Sequence, residues 1–457
     1  MKTIIEPFRI KMVEPLPLPS EEQRLNEIKK AHYNLFKLPS EVVTFDFLTD
    51  SGTGSMSANQ WAQMMNGDES YAGSPSYYRF EKAVQDITGF EFVVPTHQGR
   101  AAEALLMKVL LKPNKRVIGN THFDTTRANI EVNQGVAIDL PIREASESSK
   151  YYPFKGNMDL ARLEEELKNN HSEISFVIMT VTNNSVGGQP VSMKNIREAS
   201  GLAHKMGKLF FIDCARFAEN AYFIKQRESG YEEASIISIV KEMFSYADGA
   251  LMSAKKDAFG NIGGFLALKD GAIANDVRTW MVVTEGFPTY GGLAGRDLEA
   301  LAVGLREILE EDYLKYRIKS TAYLGEGLKS AGFCLVEPFG GHAVYIDALK
   351  TLSHLVWSDY PGQSLSVEFY KKIGLRSVEV GSVMLGRRNV NTGIEEPALN
   401  ELVRLAIPRR VYTQSHIDYI IESAFEMKKN FTSYPGYEFI YQAPVLRHFT
   451  AQFKMKS

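Results

Sequence analysis

Two lysines, Lys255 and Lys256, stand side by side in "GALMSAKKDAFGNIGGF", just after the apolar run Ala250–Met252. A Lys-Lys pair is ordinarily a solvated loop. At the end of a buried strand, one of the two becomes a candidate for covalent chemistry, because a lysine amine forms Schiff bases with carbonyl compounds. Other stretches supply the groups such chemistry needs. Asp213 closes the apolar run "LFFI", where a carboxylate is costly unless paired, and Arg216 follows it. Asn184 follows the run that ends at Val181. Gln98, Gly99 and Arg100 in "PTHQGRAAEALL" stand at a predicted helix start, where exposed amides and the helix dipole bind phosphate. Ser253 adds a hydroxyl three residues before Lys256, and Phe123 in "THFDTTR" offers a face to stack on a ring. Pyridoxal phosphate requires this set: a Schiff-base lysine, an acid for its pyridine nitrogen and a nest of donors for its phosphate. Singly, each residue has a structural explanation: Asp213 paired with Arg216, an ordinary capped helix, a core Phe123. Their joint placement is what singles them out.

The elements that must position these residues alternate. From about Phe45, short β-rich runs alternate with amphipathic helical stretches. "FEFVVPTHQGRAAEALLMKVLL" predicts a strand over Phe90–Val94, a turn over Pro95–Gln98 and a helix from Gly99. "ISFVIMTVTNNSVGGQPVSMKNIREASGLAHKMGKLFFID" predicts strand, Gly-rich loop, helix and strand. Such alternation implies a parallel sheet covered by helices, and ligands of such sheets bind at the carboxyl ends of the strands. From Glu310 the texture changes to a long charged helix and shorter strands such as "HAVYIDA". The expected domains are therefore a large one over 46–310 and a smaller one made of 1–45, with its proline-rich arm, and 311–457. "SEEQRLNEIKKAHYNLF" predicts a helix opening on Ser20, and "GRRNVNTGIEEP" predicts a loop.

Composition narrows the class. The chain has 457 residues, 44% of them hydrophobic, and a net charge of −3 without long charged blocks. That excludes the basic footprint of a nucleic-acid partner. The two cysteines, Cys214 and Cys334, have no neighbouring thiol, which fits a reducing cytoplasm better than a disulfide framework. No apolar run reaches the about 18 residues of a membrane span, and the N-terminus lacks the apolar centre of a signal peptide.

With these residues assembled, the sequence resembles a known family. "TDSGTGSMS", "GDESYAGS", "PTHQGRAAE", "NNSVGGQPVSM", "ARFAENAYFIKQRE", "MSAKKD", "NIGGF", "YGGLAGRD" and "IPRRVYT" resemble, in order and over nearly the whole chain, the β-eliminating lyases that comprise tryptophanase and tyrosine phenol-lyase. The resemblance implies the aspartate-aminotransferase-like fold type I of pyridoxal-phosphate enzymes. This has a large α/β domain around a mostly parallel seven-stranded sheet and a smaller α+β domain. It also implies a homotetramer, activated by potassium, with a small-molecule amino-acid substrate. Carried residue by residue, it makes Lys256 the Schiff-base lysine and the base for the α-proton, with Lys255 its auxiliary neighbour. Asp213 holds the pyridine nitrogen, and Asn184 and Arg216 the phenolic oxygen. Gln98, Gly99, Arg100 and Ser253 hold the phosphate, and Phe123 stacks on the ring. Arg404 and Ser51 bind the substrate carboxylate. Tyr71 is a catalytic acid reaching in from a neighbouring subunit. Gly52, Glu69 and Asn261 resemble the potassium site.

Three positions bear on the leaving group. The phenol-releasing branch has "TTTR", where this chain has "DTTR" with Asp124. It has an arginine in "MERG", where this chain has "VEVG" with Val380. It has phenylalanine before the last "FTA", where this chain has His448. A phenol needs donors and charge to reach its ketonic form, which valine does not offer. Indole is larger and apolar with one N–H donor, so Val380 suits it as a wall, and Asp124 and His448 as its polar partners. The expected reaction is β-elimination of L-tryptophan to indole, pyruvate and ammonia. The short connection between "LLKP" and "VIGN" points the other way, to release of phenol from tyrosine. Another carbon-carbon or carbon-sulfur β-elimination also fits the cofactor residues. A catalytically silent pyridoxal-phosphate-binding regulator is the non-enzymatic alternative. No G-x-G-x-x-G follows a strand, which excludes the dinucleotide fingerprint.

Overall fold

The apolar runs become the strands of one sheet. The computed structural model describes residues 4–388, 394–444 and 446–456, so part of the predicted "GRRNVNTGIEEP" loop lies outside the described residues. The strands are β1 (Phe92–Thr96), β2 (Arg116–Gly119), β3 (Val136–Asp139), β4 (Ile174–Thr180), β5 (Leu209–Asp213), β6 (Gly249–Ser253) and β7 (Gly264–Leu268). They are ordered β1-β7-β6-β5-β4-β2-β3. All neighbours are parallel except β7, which runs antiparallel to both β1 and β6. Phe176, Val177, Ile178 and Met179 of β4 are all buried, as expected of a strand covered on both faces.

The first strand differs from the sequence expectation. It runs on through Pro95 and Thr96, which pair with Phe265 and Gly264. Pro95 is tolerated because β1 is the edge of the sheet, where a missing N–H breaks no second ladder. The helix α1 (Gly99–Leu110) then begins at Gly99, as predicted.

The chain divides into two compact units. The larger comprises Ser51–Ala145 and Pro153–Lys315. The smaller comprises the N-terminal residues up to Asp50, the short segment Ser146–Tyr152, and the chain from Tyr316 onward. Ser146–Tyr152 carries no sequence signal that separates it from its surroundings.

Within the smaller unit, β8 (Ala343–Asp347), β9 (Val378–Val380) and β10 (Leu402–Ala406) form an antiparallel sheet in the order β9-β10-β8. Its core gathers Phe45, Phe47, Val344, Ile346, Leu365, Phe369, Val403, Leu405 and Ile420. The predicted N-terminal helix spans Glu21–Lys30. Ser20 and Gln23 form a reciprocal capping box that satisfies two orphan backbone N–H groups.

Candidate cofactor and active site

Adjacent parallel strands carry the predicted residues to one edge of the larger unit's sheet. Asp213 ends β5 and pairs with Thr180 of β4 and Leu251 of β6. Three loops therefore leave the sheet side by side. The loop after β4 carries Asn184, the loop after β5 carries Arg216, and the turn after β6 carries Lys255 and Lys256. Asn184 and Arg216 are buried. Arg216 caps the helix α4 (Phe217–Arg227), and its backbone N–H donates to the Val181 carbonyl at 3.3 Å.

The electrostatics of this edge centre on Asp213. Burial pushes its carboxyl above the ordinary carboxylate range, opposed by the positive charge of Lys256, the Ala215 N–H and Arg216. The Ala215 N–H donates to Asp213 Oδ1 at 3.3 Å. A cationic ring nitrogen set against this carboxylate supplies the counter-charge that burial demands. The chemistry of the donor set therefore fits a pyridinium-bearing carbonyl cofactor.

The start of α1 and the end of β6 form an equally specific cradle. Gln98 precedes α1 in extended conformation with its side chain free of capping. A Cβ on Gly99 would lie 2.7 Å from Ser253 Cβ and 2.9 Å from Ser253 Cα and N. Only glycine lets the start of α1 press this closely on the end of β6. A Cβ on Gly264 would likewise lie 2.8 Å from the Gly99 nitrogen. Gly263 N–H donates to His97 O at 2.7 Å, which fastens the turn. The first-turn N–H groups of α1, the Ser253 hydroxyl and Arg100 thus share one locality. Lys255 lies there too: burial, then the Arg100 charge, lowers its ammonium pKa.

The helix α2 (Asp124–Val132) opens beside this region. Phe123, half-buried, is its N-cap residue, and Asp124, buried, is its first residue and accepts the Thr125 N–H at 2.7 Å. Sequence reasoning missed Glu103. This α1 residue is 5% exposed and accepts Thr126 Oγ1 at 2.7 Å and Asn129 Nδ2 at 3.2 Å, both from α2. Its carboxyl pKa is pushed up to about 7 by burial and by the negative charge of Asp213, against the hydroxyls of Thr126 and Thr125. A signal existed: Glu103 lies on the helix face of Leu106 and Met107, at i+3 and i+4.

Gly52, Lys255 and Asn261 are also brought together. The Gly52 N–H donates to Lys255 O at 2.8 Å, and Asn261 Nδ2 donates to the carbonyls of Gly52 at 3.1 Å and Gly54 at 3.3 Å. Gly52 has φ +76°, and a Cβ there would lie 2.5 Å from Lys255 Cε. Ser51, half-buried, precedes it. Glu69 is exposed and pairs with Arg296 at 3.6 Å. Tyr71 is 68% exposed, with its ring against Phe287 and Tyr290 at 5.4 Å each. A hydrogen bond with Tyr290 raises its phenol pKa.

The smaller unit holds the other three predicted residues. Arg404, in β10, is 6% exposed, and its Nη2 donates to Leu48 O at 3.1 Å. Val380 ends β9 within a cluster that includes Val336, Tyr345, Val378 and Leu402, with Phe36 and Leu48 packed against it. His448 is buried, its ring 5.6 Å from that of Phe36 and 4.0 Å from that of Phe449. Among the other histidines, His97 Nδ1 bonds to Glu285, and buried His342 meets Tyr345 Oη at 3.2 Å.

This architecture is that of the fold type I pyridoxal-phosphate enzymes. Serine palmitoyltransferase of Sphingomonas wittichii superimposes with a TM-score of 0.55 over 86% of this chain and 88% of its own, at 12% identity. Sequence comparison narrows the class. The chain belongs to the β-eliminating lyase family, whose description matches residues 46–423. It is 57% identical to the tryptophanase of Salinibacter ruber over 100% of this chain and 97% of that one. It is 48% identical to the tyrosine phenol-lyase of Clostridium tetani over 98% of this chain and 97% of that one.

Proposed function

We propose that this lyase binds pyridoxal phosphate and eliminates indole from L-tryptophan, leaving pyruvate and ammonia. The observation that carries the cofactor assignment is the buried Asp213 carboxylate set against the charge of Lys256 on the neighbouring strand's turn. Bound there, pyridoxal phosphate supplies an electron sink for the substrate α-carbon.

The chain's own residues do the rest. Gln98, Gly99, Arg100 and Ser253 hold the phosphate. Asp213 keeps the ring nitrogen protonated, Asn184 and Arg216 bond the phenolic oxygen, and Phe123 covers the ring. Arg404, with Ser51, takes the substrate carboxylate. Lys256 Nζ removes the α-proton, with Lys255 beside it. Tyr71, or else Asp124 or His448, delivers the proton that makes indole a leaving group at its C3. Val380 faces the leaving group with apolar surface. Each interaction raises turnover only as far as it strengthens on the way to the transition state.

Potassium binding by the Gly52 carbonyl, Glu69 and Asn261 belongs to the same proposal, as does a cytoplasmic homotetramer. The oxygen-bearing character of these groups supports a hard monovalent cation. The exposed Tyr71, with half-buried Phe287 and Tyr290 against its ring, supports a second copy covering that surface. The short connection at residues 111–115 is the feature that favours release of phenol from tyrosine instead. Product analysis decides between them. Purified enzyme with pyridoxal phosphate and potassium is given tryptophan and tyrosine separately, and indole, phenol and pyruvate are measured. Indole from tryptophan with little phenol is expected. Phenol as main product would overturn the roles of Asp124, Val380 and His448. Pyruvate from small β-substituted amino acids alone would indicate another lyase specificity.

A further inference from the structure

The smaller unit buries a pair of acids that the elimination itself leaves unused. Glu379, the middle residue of β9, and Glu401, the residue before β10, are 4% and 5% exposed. They converge on one point. A Cβ on Gly381 would lie 2.5 Å from Glu401 Oε2 and 2.7 Å from Glu379 Oε1, so the two carboxyls are at most about 5 Å apart. On the far side, Gly362 of the helix α5 (Pro361–Ile373) presses on Glu379, with a Cβ position 2.8 Å from its Cγ.

The hydrogen bonds they accept come from one turn. Ser382 N–H donates to Glu401 Oε2 at 3.2 Å, and the Ser382 hydroxyl donates to Glu401 Oε1. Val383 and Met384 N–H groups donate to the two oxygens of Glu379, each at 2.9 Å. Leu385 N–H closes the turn on Gly381 O at 2.7 Å. The carbonyl side of the same turn is gripped by Arg447, whose Nη2 donates to Ser382 O at 2.6 Å and Nε to Val383 O at 3.0 Å. Val380 immediately precedes this turn, and His448 immediately follows Arg447.

Two carboxylates this close and this buried do not both ionise cheaply. Burial, then the charge of Glu401, pushes Glu379 up to about 8, and burial pushes Glu401 up to about 7. Among the described residues, the charged and titratable groups around them include Asp347 on β8, which takes Lys350 Nζ at 3.1 Å, the Arg447–Glu395 pair at 3.1 Å, and Tyr360 before α5.

We propose that Glu379 and Glu401 share one proton at neutral pH and act as positioning residues, holding the 381–385 turn so that Val380 on one side and, through Arg447, His448 on the other are set for the leaving group. This rests on the reading of Val380 and His448 given above. When the shared proton passes to solvent at alkaline pH, two negative charges meet at Gly381 and the turn loses its place.

The test is the pH profile of kcat/KM for tryptophan, from about pH 6 to 10, in the holoenzyme and in Glu401→Gln and Glu379→Gln. The alkaline limb is expected to move upward by about one pH unit or more in a variant that cannot lose the proton. A limb unmoved in both soluble variants, with only their Tm lowered, would overturn the proposal. A second readout does not depend on those variants. In a Glu103→Gln background, difference infrared titration should show a carboxylic-acid C=O stretch that persists at neutral pH and is lost as pH rises into the alkaline range. Absence of that band would overturn the proposal even if neither pair variant folds. An enzyme that makes no indole at any pH would refute the tryptophan reading instead, and the infrared titration would still decide the pair.

Discussion

One added methyl group at Gly99 tests the phosphate turn. In Gly99→Ala the new carbon would stand 2.7 Å from Ser253 Cβ and 2.9 Å from Ser253 Cα and N. Ordinary carbon contacts are about 3.5–4.0 Å, so the start of α1 must retreat by roughly 1 Å. Ser253 cannot yield in its place, because it is paired with Gly264 across β6 and β7. Overpacking of this kind costs about 1–3 kcal/mol. If that strain is relieved by withdrawing the first-turn N–H groups, cofactor affinity falls roughly 10- to 100-fold. Alanine is the better helix former by up to about 1 kcal/mol, so a weakened helix cannot be the cause. The assay is titration of the cofactor-free enzyme with pyridoxal phosphate, followed by absorbance. Gly201→Ala, in the helix α3 (Met193–Lys205), is the matched control, since a Cβ there meets nothing within 4 Å. Gly99→Ala with wild-type cofactor affinity would refute the reasoning about the turn.

Three further outcomes follow from the same geometry. Lys256→Ala should abolish exchange of the substrate α-proton and remove the visible band of the lysine-bound cofactor; an intact band in that variant would refute the assignment. Val380→Arg combined with Asp124→Thr should weaken indole release from tryptophan, and unchanged tryptophan kinetics would mean that these positions do not read the leaving group. Glu103, with a folded-state pKa near 7 against an ordinary 4.5, contributes stability that is fully present below about pH 4.5 and lost as pH rises through about 7. The loss is on the order of 3 kcal/mol. The fall of Tm across that window should therefore be shallower in Glu103→Gln, and an unchanged slope would contradict its raised pKa.

The sheet edge was legible in the sequence because apolar runs ending in Asp213, Ser253 or Val181 announce both a buried strand and a polar group just past it. Gly99 was legible as a helix start. What was not legible depended on partners distant in sequence. Pro95 reads as a turn residue until β1 is known to be an edge strand. Glu103 stands on an apolar helix face in the sequence, but its partners Thr126 and Asn129 belong to another helix that only the fold brings over it. Glu379 and Glu401 stand in separate strands, and nothing local to either shows that Gly381 brings them together. Ser146–Tyr152 joins the smaller unit although its composition matches what surrounds it. The roles of Val380, His448 and Arg404 came from the family resemblance alone, because a buried valine, histidine or arginine carries no local mark of the ligand it serves.

The central claim is that Lys256, and not the adjacent Lys255, carries the cofactor beside Asp213. Borohydride reduction of the holoenzyme fixes the cofactor on its lysine, and peptide mass mapping then locates it. The reduced pyridoxyl group is expected on Lys256 with Lys255 unmodified. The group on Lys255, or on neither lysine of an active enzyme, would contradict it.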